Sequence, residues 1–241
     1  MRKLFTICLL LLYIVPLYSQ QGSEFDRQMR EYGLVDIQEL SPAILVDLKY
    51  SSQDNFVGVD MYGDLETAYL VESFANKVVY AQQLLQERNP NLTLLIYDAA
   101  RPISVQRAMR RVVENTAFED FVADGTRGGR HNYGVAVDLT IATLDGVPLD
   151  MGAGFDEFSE ASSVKGTPDT SDASTRTIDV YRRYVNSLAD RGVISNDAAA
   201  NRILLLEVMC QAGLFPYRKE WWHFEEIMSI SATREQYKLL L

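Results

Sequence analysis

The chain has 241 residues, 47% of them hydrophobic, which is enough to bury one good-sized core. Its 33 acidic residues outweigh 23 basic ones and set a formal charge of −10, a balance that repels nucleic acid and anionic membrane surfaces and argues against either as a partner.

The first 20 residues, MRKLFTICLLLLYIVPLYSQ, have a basic start at Arg2 and Lys3, an apolar run from Leu4 to about Tyr18, and a polar exit at Ser19 and Gln20. This is the three-part layout of a cleaved secretory signal, and the run is short for a bilayer-spanning helix, which needs ~20 such residues. The expected location is therefore periplasmic or secreted, with no membrane insertion after cleavage. Cys8 lies inside the apolar run, not at its end beside small residues, which argues against lipid attachment. Cleavage removes two basic residues and no acidic one, so the mature chain is more acidic still. It also leaves Cys210 as the one thiol, so no intramolecular disulfide supports the fold and any metal site must use His and carboxylates.

Residues 21–40 are polar and mixed, a lead-in or first helix. SPAILVDLKY (41–50) reads as a strand, and SSQDNFVGVDMYGD (51–64) as a loop. Apolar residues at helical spacing predict a helix over 71–88, stopped by Asn89-Pro90. LTLLIYD (92–98) follows as a buried strand, and 103–122 regains the 3.6-residue period with a basic face at Arg107, Arg110 and Arg111. The segment 135–150 reads as a hairpin with Asp145-Gly146 as a type I′ turn. A Ser, Thr and Asp rich surface loop is expected over 155–180, then a helix over 177–192. A second helix over 196–212 has capping residues at Ser195-Asn196-Asp197 and Gly213 just past its end. EWWHFEEIMS closes the pattern as an aromatic-rich strand. The predicted architecture is a single α+β domain over 21–241, a small antiparallel sheet flanked by helices.

The chain has two histidines. Taken alone, His131 in GGRHNYGVAVDLT reads as a loop residue, and His223 in RKEWWHFEE as a ring packed on tryptophans. Their joint pattern points elsewhere, because each has a carboxylate at short range. Asp138 interrupts an apolar strand, where an unpaired carboxylate is costly and a metal ion would resolve the cost. A catalytic zinc takes three N/O ligands and keeps an open position for water, whose pKa falls toward ~7. His131, Asp138 and His223 fit the ligands, and Glu220 fits the base that moves the water's proton. On a straight strand His131 and Asp138 would face opposite ways, so a turn or bulge at Gly134 is required. The same parity applies to Glu220 and His223, where a strand start or twist is expected. In YDAARP (97–102), Arg101 follows a strand-ending Asp98 and precedes a proline. The pair reads either as an ordinary turn closure or as a guanidinium held for an oxyanion.

Together these stretches resemble the zinc D-alanyl-D-alanine dipeptidase family of D-Ala-D-Ala metallopeptidases. The likeness rests on DAARP at 98–102, HNYGVAVD at 131–138 and EWWH at 220–223 in that order, with DLKYSSQDNFVG (47–58) and MGAGFDEFSE (151–160) in support. The resemblance implies the Hedgehog-like α+β fold and one Zn2+ per chain held by His131, Asp138 and His223. It implies Glu220 as acid/base, Arg101 as transition-state stabiliser, Asp156 facing the substrate ammonium, and Tyr50 and Tyr62 in the substrate pocket. The implied substrate is the small peptide D-Ala-D-Ala, with a link to cell-wall peptide turnover. A D,D-carboxypeptidase or peptidoglycan endopeptidase with the same site, and a non-catalytic wall-binding module, are the alternatives. The family usually has Ser two residues before the first ligand, where this chain has Gly129, which bears on how the substrate is held.

Overall fold

Strands β4 (Leu92–Asp98) and β5 (Ala136–Thr143) pair along most of their length at the centre of the molecule. Every residue of β4 is buried, as are all of β5 except Thr143, so neither sequence alternates: both faces are covered. The short strands β2 (Leu45–Val46), β6 (Phe215–Pro216) and β7 (His223–Glu225) complete a five-stranded sheet in the order β2-β4-β5-β7-β6. Its pairings are antiparallel except that β2 runs parallel to β4. A separate antiparallel pair joins β1 (Val35–Asp36) to β3 (Tyr69–Leu70). Seven α-helices surround these strands among the described residues: α1 (Glu24–Glu31), α2 (Ile37–Leu40), α3 (Glu72–Arg88), α4 (Ile103–Val113), α5 (Ile178–Asp190), α6 (Asn196–Gln211) and α7 (Ile230–Gln236). Helix α3 packs on α6 and β4, and α6 on α5 and β5. This computed structural model describes residues 24–116, 118–119, 122–123, 125–164 and 177–241. The expected signal segment and part of the 155–180 loop lie outside the described residues. No helix among the described residues is long and apolar enough to cross a membrane.

The expected α+β domain is present, and four element boundaries are corrected. The strand expected over 41–50 reduces to Leu45–Val46, because the chain turns into a 3-10 turn at Lys49–Ser51 that buries Tyr50. Helix α4 stops at Val113, well short of residue 122. Glu114 leaves the helix, Asn115 takes a left-handed φ of 62°, and Glu119 accepts from the Asn115 N–H. Two arginines of the predicted basic face hold the returning backbone: Arg107 donates to Gly125 O at 3.0 Å and Arg110 to Val122 O at 2.8 Å. The hairpin after β5 is not a type I′ turn, since Asp145 keeps a negative φ and only Gly146, at 87°, is left-handed. Gly146 N–H bonds Thr143 O and Thr143 N–H bonds Val147 O, the pattern of a turn followed by a glycine bulge. The C-terminal strand shrinks to His223–Glu225, with Glu220 in the turn before it.

Two irregularities set the site. Ile96 pairs with Leu139, but Asp98 pairs with Asp138, so a bulge at Tyr97 slips the register. Without it Asp98 would follow Ile96 to the opposite face; with it Asp98 shares the face of Asp138. The second is a 3-10 turn, Arg130–Tyr133, closed by Gly134 at φ 68°. This turn lifts His131 over the sheet before β5 begins. A Cβ on Gly134 would stand 3.0 Å from Leu34 Cδ2 in a backbone conformation that L-residues adopt only at a cost. Gly134→Ala is therefore expected to destabilise the protein by ~1–2 kcal/mol in urea unfolding, where a loss within the ~0.5 kcal/mol of an ordinary surface change would contradict it.

Candidate metal centre and active site

The sheet register places Asp98, Asp138 and His223 side by side on β4, β5 and β7. Above this row, the 3-10 turn delivers His131, whose carbonyl accepts from the Arg101 N–H at 3.0 Å. His131 Nε2, His223 Nδ1 and Asp138 Oδ1 converge: 3.1 Å between the two ring nitrogens, and 3.0 and 3.3 Å from Asp138 to His223 and His131. The three residues form a possible metal site, with ligand atoms within 4.8 Å of one another.

The chemistry of the donors fits a cation. Ala99 O can only accept, so His131 Nδ1, at 2.7 Å, carries a proton and leaves Nε2 its lone pair. Glu225 Oε2 lies 3.4 Å from His223 Nε2, which likewise directs the proton there and leaves Nδ1 bare. Two lone pairs and a carboxylate thus point at one another, an arrangement that needs positive charge between them. A bare proton is the minimal answer: burial opposes charge on His223, but hydrogen bonds to Asp138 and Glu225 outweigh it and push its pKa up to about 10. Burial would raise the Asp138 pKa, yet the two histidines hold it far below the carboxylate range. A divalent ion meets the same demand with neutral imidazoles.

Arg101 is fixed by its neighbours. Its Nε donates to Asp98 Oδ2 at 3.0 Å, its Nη2 also bonds Asp98, and its Nη1 donates to Gln106 Oε1 at 2.9 Å. Asp98 is fully buried, and its other oxygen accepts from the Tyr62 hydroxyl at 2.7 Å. Arginine has five N–H donors, so the guanidinium keeps some for the cavity it lines. Its carbon lies 5.0 Å from the centre of the Tyr50 ring.

The cavity encloses about 310 Å³ and is lined by His131, Asp138, His223, Arg101, Glu220, Asp156 and Tyr50, with Phe56, Phe158 and Trp222 on its apolar side. Glu220 Oε2 lies 3.9 Å from His223 Nδ1. Burial raises the Glu220 pKa and the Asp138 charge adds to that, though His223 pulls the other way. Asp156 accepts from the Tyr50 hydroxyl at 2.6 Å. Burial raises its pKa well above the carboxylate range against that hydrogen bond, with Asp138 adding to the rise. Tyr62 does not reach the cavity lining: buried behind Asp98, it steadies that carboxylate. Gly129 does line the cavity, and a Cβ there would meet nothing within 4 Å.

Sequence reasoning missed Glu225, Arg130 and Gln106. Glu225 sits two residues after His223 on one strand, so the period of two already put both on one face. Arg130 Nη1 bonds Glu225 at 3.1 Å and closes a His–Glu–Arg chain. Gln106 lies one turn into α4, where only the tertiary path of Arg101 reveals it.

A family model described as D-ala-D-ala dipeptidase matches residues 30–188 and 185–238. The chain is 32% identical to the D-alanyl-D-alanine dipeptidase of Escherichia coli (strain K12) over 195 residues, 80% of this chain and 83% of that protein. It is 25% identical to the D-alanyl-D-alanine dipeptidases of Synechocystis sp. (strain ATCC 27184 / PCC 6803 / Kazusa), over 84% of this chain and 89% of that one, and Enterococcus faecalis (strain ATCC 700802 / V583), over 82% and 93%.

The His–Glu–Arg chain yields a direct expectation. Glu225→Gln should weaken binding of a divalent ion by ~10–100-fold in a chelator competition, because His223 loses the carboxylate that orients its ring. Unchanged affinity would remove Glu225 from the site.

Proposed function

The chain belongs to the D-Ala-D-Ala dipeptidase family of peptidases, and from that footing we propose that it is a zinc-dependent enzyme hydrolysing D-alanyl-D-alanine, with one zinc ion per chain. The observation that carries the reading is the convergence of His131 Nε2, His223 Nδ1 and Asp138 Oδ1 in a cavity that also holds Glu220 and Arg101. Two nitrogens and one oxygen suit zinc with an open position. When bound, the ion would act as a Lewis acid and lower the pKa of a water molecule.

The chain's own residues supply the rest. Glu220, with its raised pKa, takes the proton of the attacking water and returns it to the leaving amine. The Arg101 guanidinium, locked by Asp98 and Gln106, faces the oxygen on which negative charge grows as the amide carbonyl becomes tetrahedral. Asp156 receives the substrate ammonium, with its free orientations limited by the Tyr50 hydroxyl. The cation reverses the balance that raises the Asp156 pKa, so substrate binding draws it into the ionised form. A cavity of about 310 Å³, near the lower end for small-ligand sites, supports a dipeptide over a long chain. The amino-terminal leader supports export and a role in wall-peptide turnover.

Purified protein should contain about one zinc ion per chain, lose hydrolysis of D-Ala-D-Ala on chelation and regain it with added zinc. Preference for a muropeptide over the free dipeptide would sink the dipeptidase assignment and favour a carboxypeptidase or endopeptidase. Glu220→Ala should cost ~10²–10⁴-fold in kcat with the ion retained, and undiminished turnover would end its assignment as acid/base.

A further inference from the structure

Helix α6 carries an arginine at its buried face. Arg202 is 1% exposed and has no carboxylate partner among the described residues. Its Nη2 is buried without a hydrogen bond, and burial pushes its pKa down to about 10 against the raising effect of Asp150 and Glu157. Holding a guanidinium in this way is costly, and a methionine or leucine would fill the space without that cost.

What Arg202 touches explains its place. Nε donates to Met151 O at 2.5 Å and Nη1 to Ser163 O at 3.3 Å. These carbonyls are the two ends of the excursion that carries Asp156 and Phe158 into the cavity wall. Other side chains hold the same root. Asn201, the neighbour on α6, donates to Asp150 O at 2.9 Å. The Trp221 indole N–H donates to Ala153 O at 3.2 Å, and its ring lies 5.9 Å from the Arg202 guanidinium. At the tip, Asp156 has a left-handed φ of 56°. Such a conformation in a residue other than glycine persists only where the surroundings over-determine it. The tip has the Tyr50 hydroxyl; the root has Arg202.

We infer that Arg202 is a positioning residue that, by bridging the carbonyls of Met151 and Ser163, sets the loop presenting Asp156 to a substrate ammonium. This rests on the dipeptidase reading above and adds a residue with no contact with substrate or ion. Helix α6 thereby becomes part of the recognition of the amino end as well as of the core.

The test uses Arg202→Lys, which keeps the charge but loses the planar fork whose separate nitrogens reach the two carbonyls, and Arg202→Met, which fills the space without charge. In both, bound metal per chain should match the unaltered protein, while KM for D-Ala-D-Ala rises ~10-fold and kcat changes far less, the signature of binding lost equally from ground and transition states. Amide hydrogen exchange over 152–158 should quicken. Wild-type KM with wild-type exchange would overturn the inference, and so would a fall in kcat at constant KM. Should Arg202→Met fail to fold, Trp221→Phe removes a second tether of the same loop and should move KM and exchange in the same direction. If the unaltered protein does not hydrolyse D-Ala-D-Ala, the dipeptidase reading fails. The exchange measurement still decides whether Arg202 holds the loop.

Discussion

The burial of Asp138 constrains everything around it. A carboxylate 4% exposed in the middle of a sheet must be paired, and the backbone of β5 is already committed to its neighbours on both sides. The compensation comes from the same row of the sheet and from above it. His223 stands opposite on β7, and His131 arrives on a 3-10 turn that Gly134 can close and most residues cannot. The bulge at Tyr97 brings Asp98 onto the same face, and with it the Arg101 that Asp98 holds. One carboxylate in a core strand thus accounts for a turn, a bulge and the register of three strands.

The aromatic residues serve the same geometry from the other side. Trp221 and Trp222 are adjacent in sequence, and their rings lie at 90° to each other. Trp221 turns its N–H to Ala153, at the root of the Asp156 loop, whereas Trp222 meets Phe155 and Phe158 edge-on at 5.4 and 6.3 Å. Tyr50 continues the contact through Phe155 and Phe56. Edge-to-face pairs of this kind fix ring angles as well as bury area. The Glu220–His223 turn and the Asp156 loop are thereby held to each other by rings, with no strand between them.

Much of this was legible in the sequence where the signal was local. The runs of α3, β4 and α6 gave correct elements because periodicity, the Asn89-Pro90 stop and the Ser195 cap act within a few residues. The parity conflict between His131 and Asp138 was legible too, and it demanded a bend where Gly134 provides one. What escaped was decided at a distance. The bulge at Tyr97 leaves no mark in LTLLIYD, because only the partner strand defines it. Val112 and Val113 carry the helical period, yet α4 ends there because Arg107 and Arg110 capture the carbonyls of the returning chain. Arg202 lies within the helix expected over 196–212, but nothing local marks it, since its contacts lie about 40 and 50 residues away in sequence. Asp145-Gly146 carried a true turn signal whose type depended on the extra residue in the loop.

Charge balance gives the arrangement its chemical direction. Of the carboxylates around the cavity, Asp98 is matched by Arg101 and Glu225 by Arg130. Among the described residues Asp138, Glu220 and Asp156 have no guanidinium of their own, and they line one small cavity. Burial, with a lesser contribution from mutual repulsion, raises the pKa of Glu220 and Asp156, while the imidazoles hold the Asp138 pKa low. On the proposed reading, a divalent cation beside Asp138 would offset two negative charges, and the ammonium of a dipeptide beside Asp156 would offset the third. With both present, Glu220 would be free to pick up a proton and give it away without leaving the site far from neutral at either stage. A substrate lacking the ammonium would leave Asp156 either protonated or uncompensated, so the proposed function implies selection for a free amino end by the same electrostatics that would hold the ion.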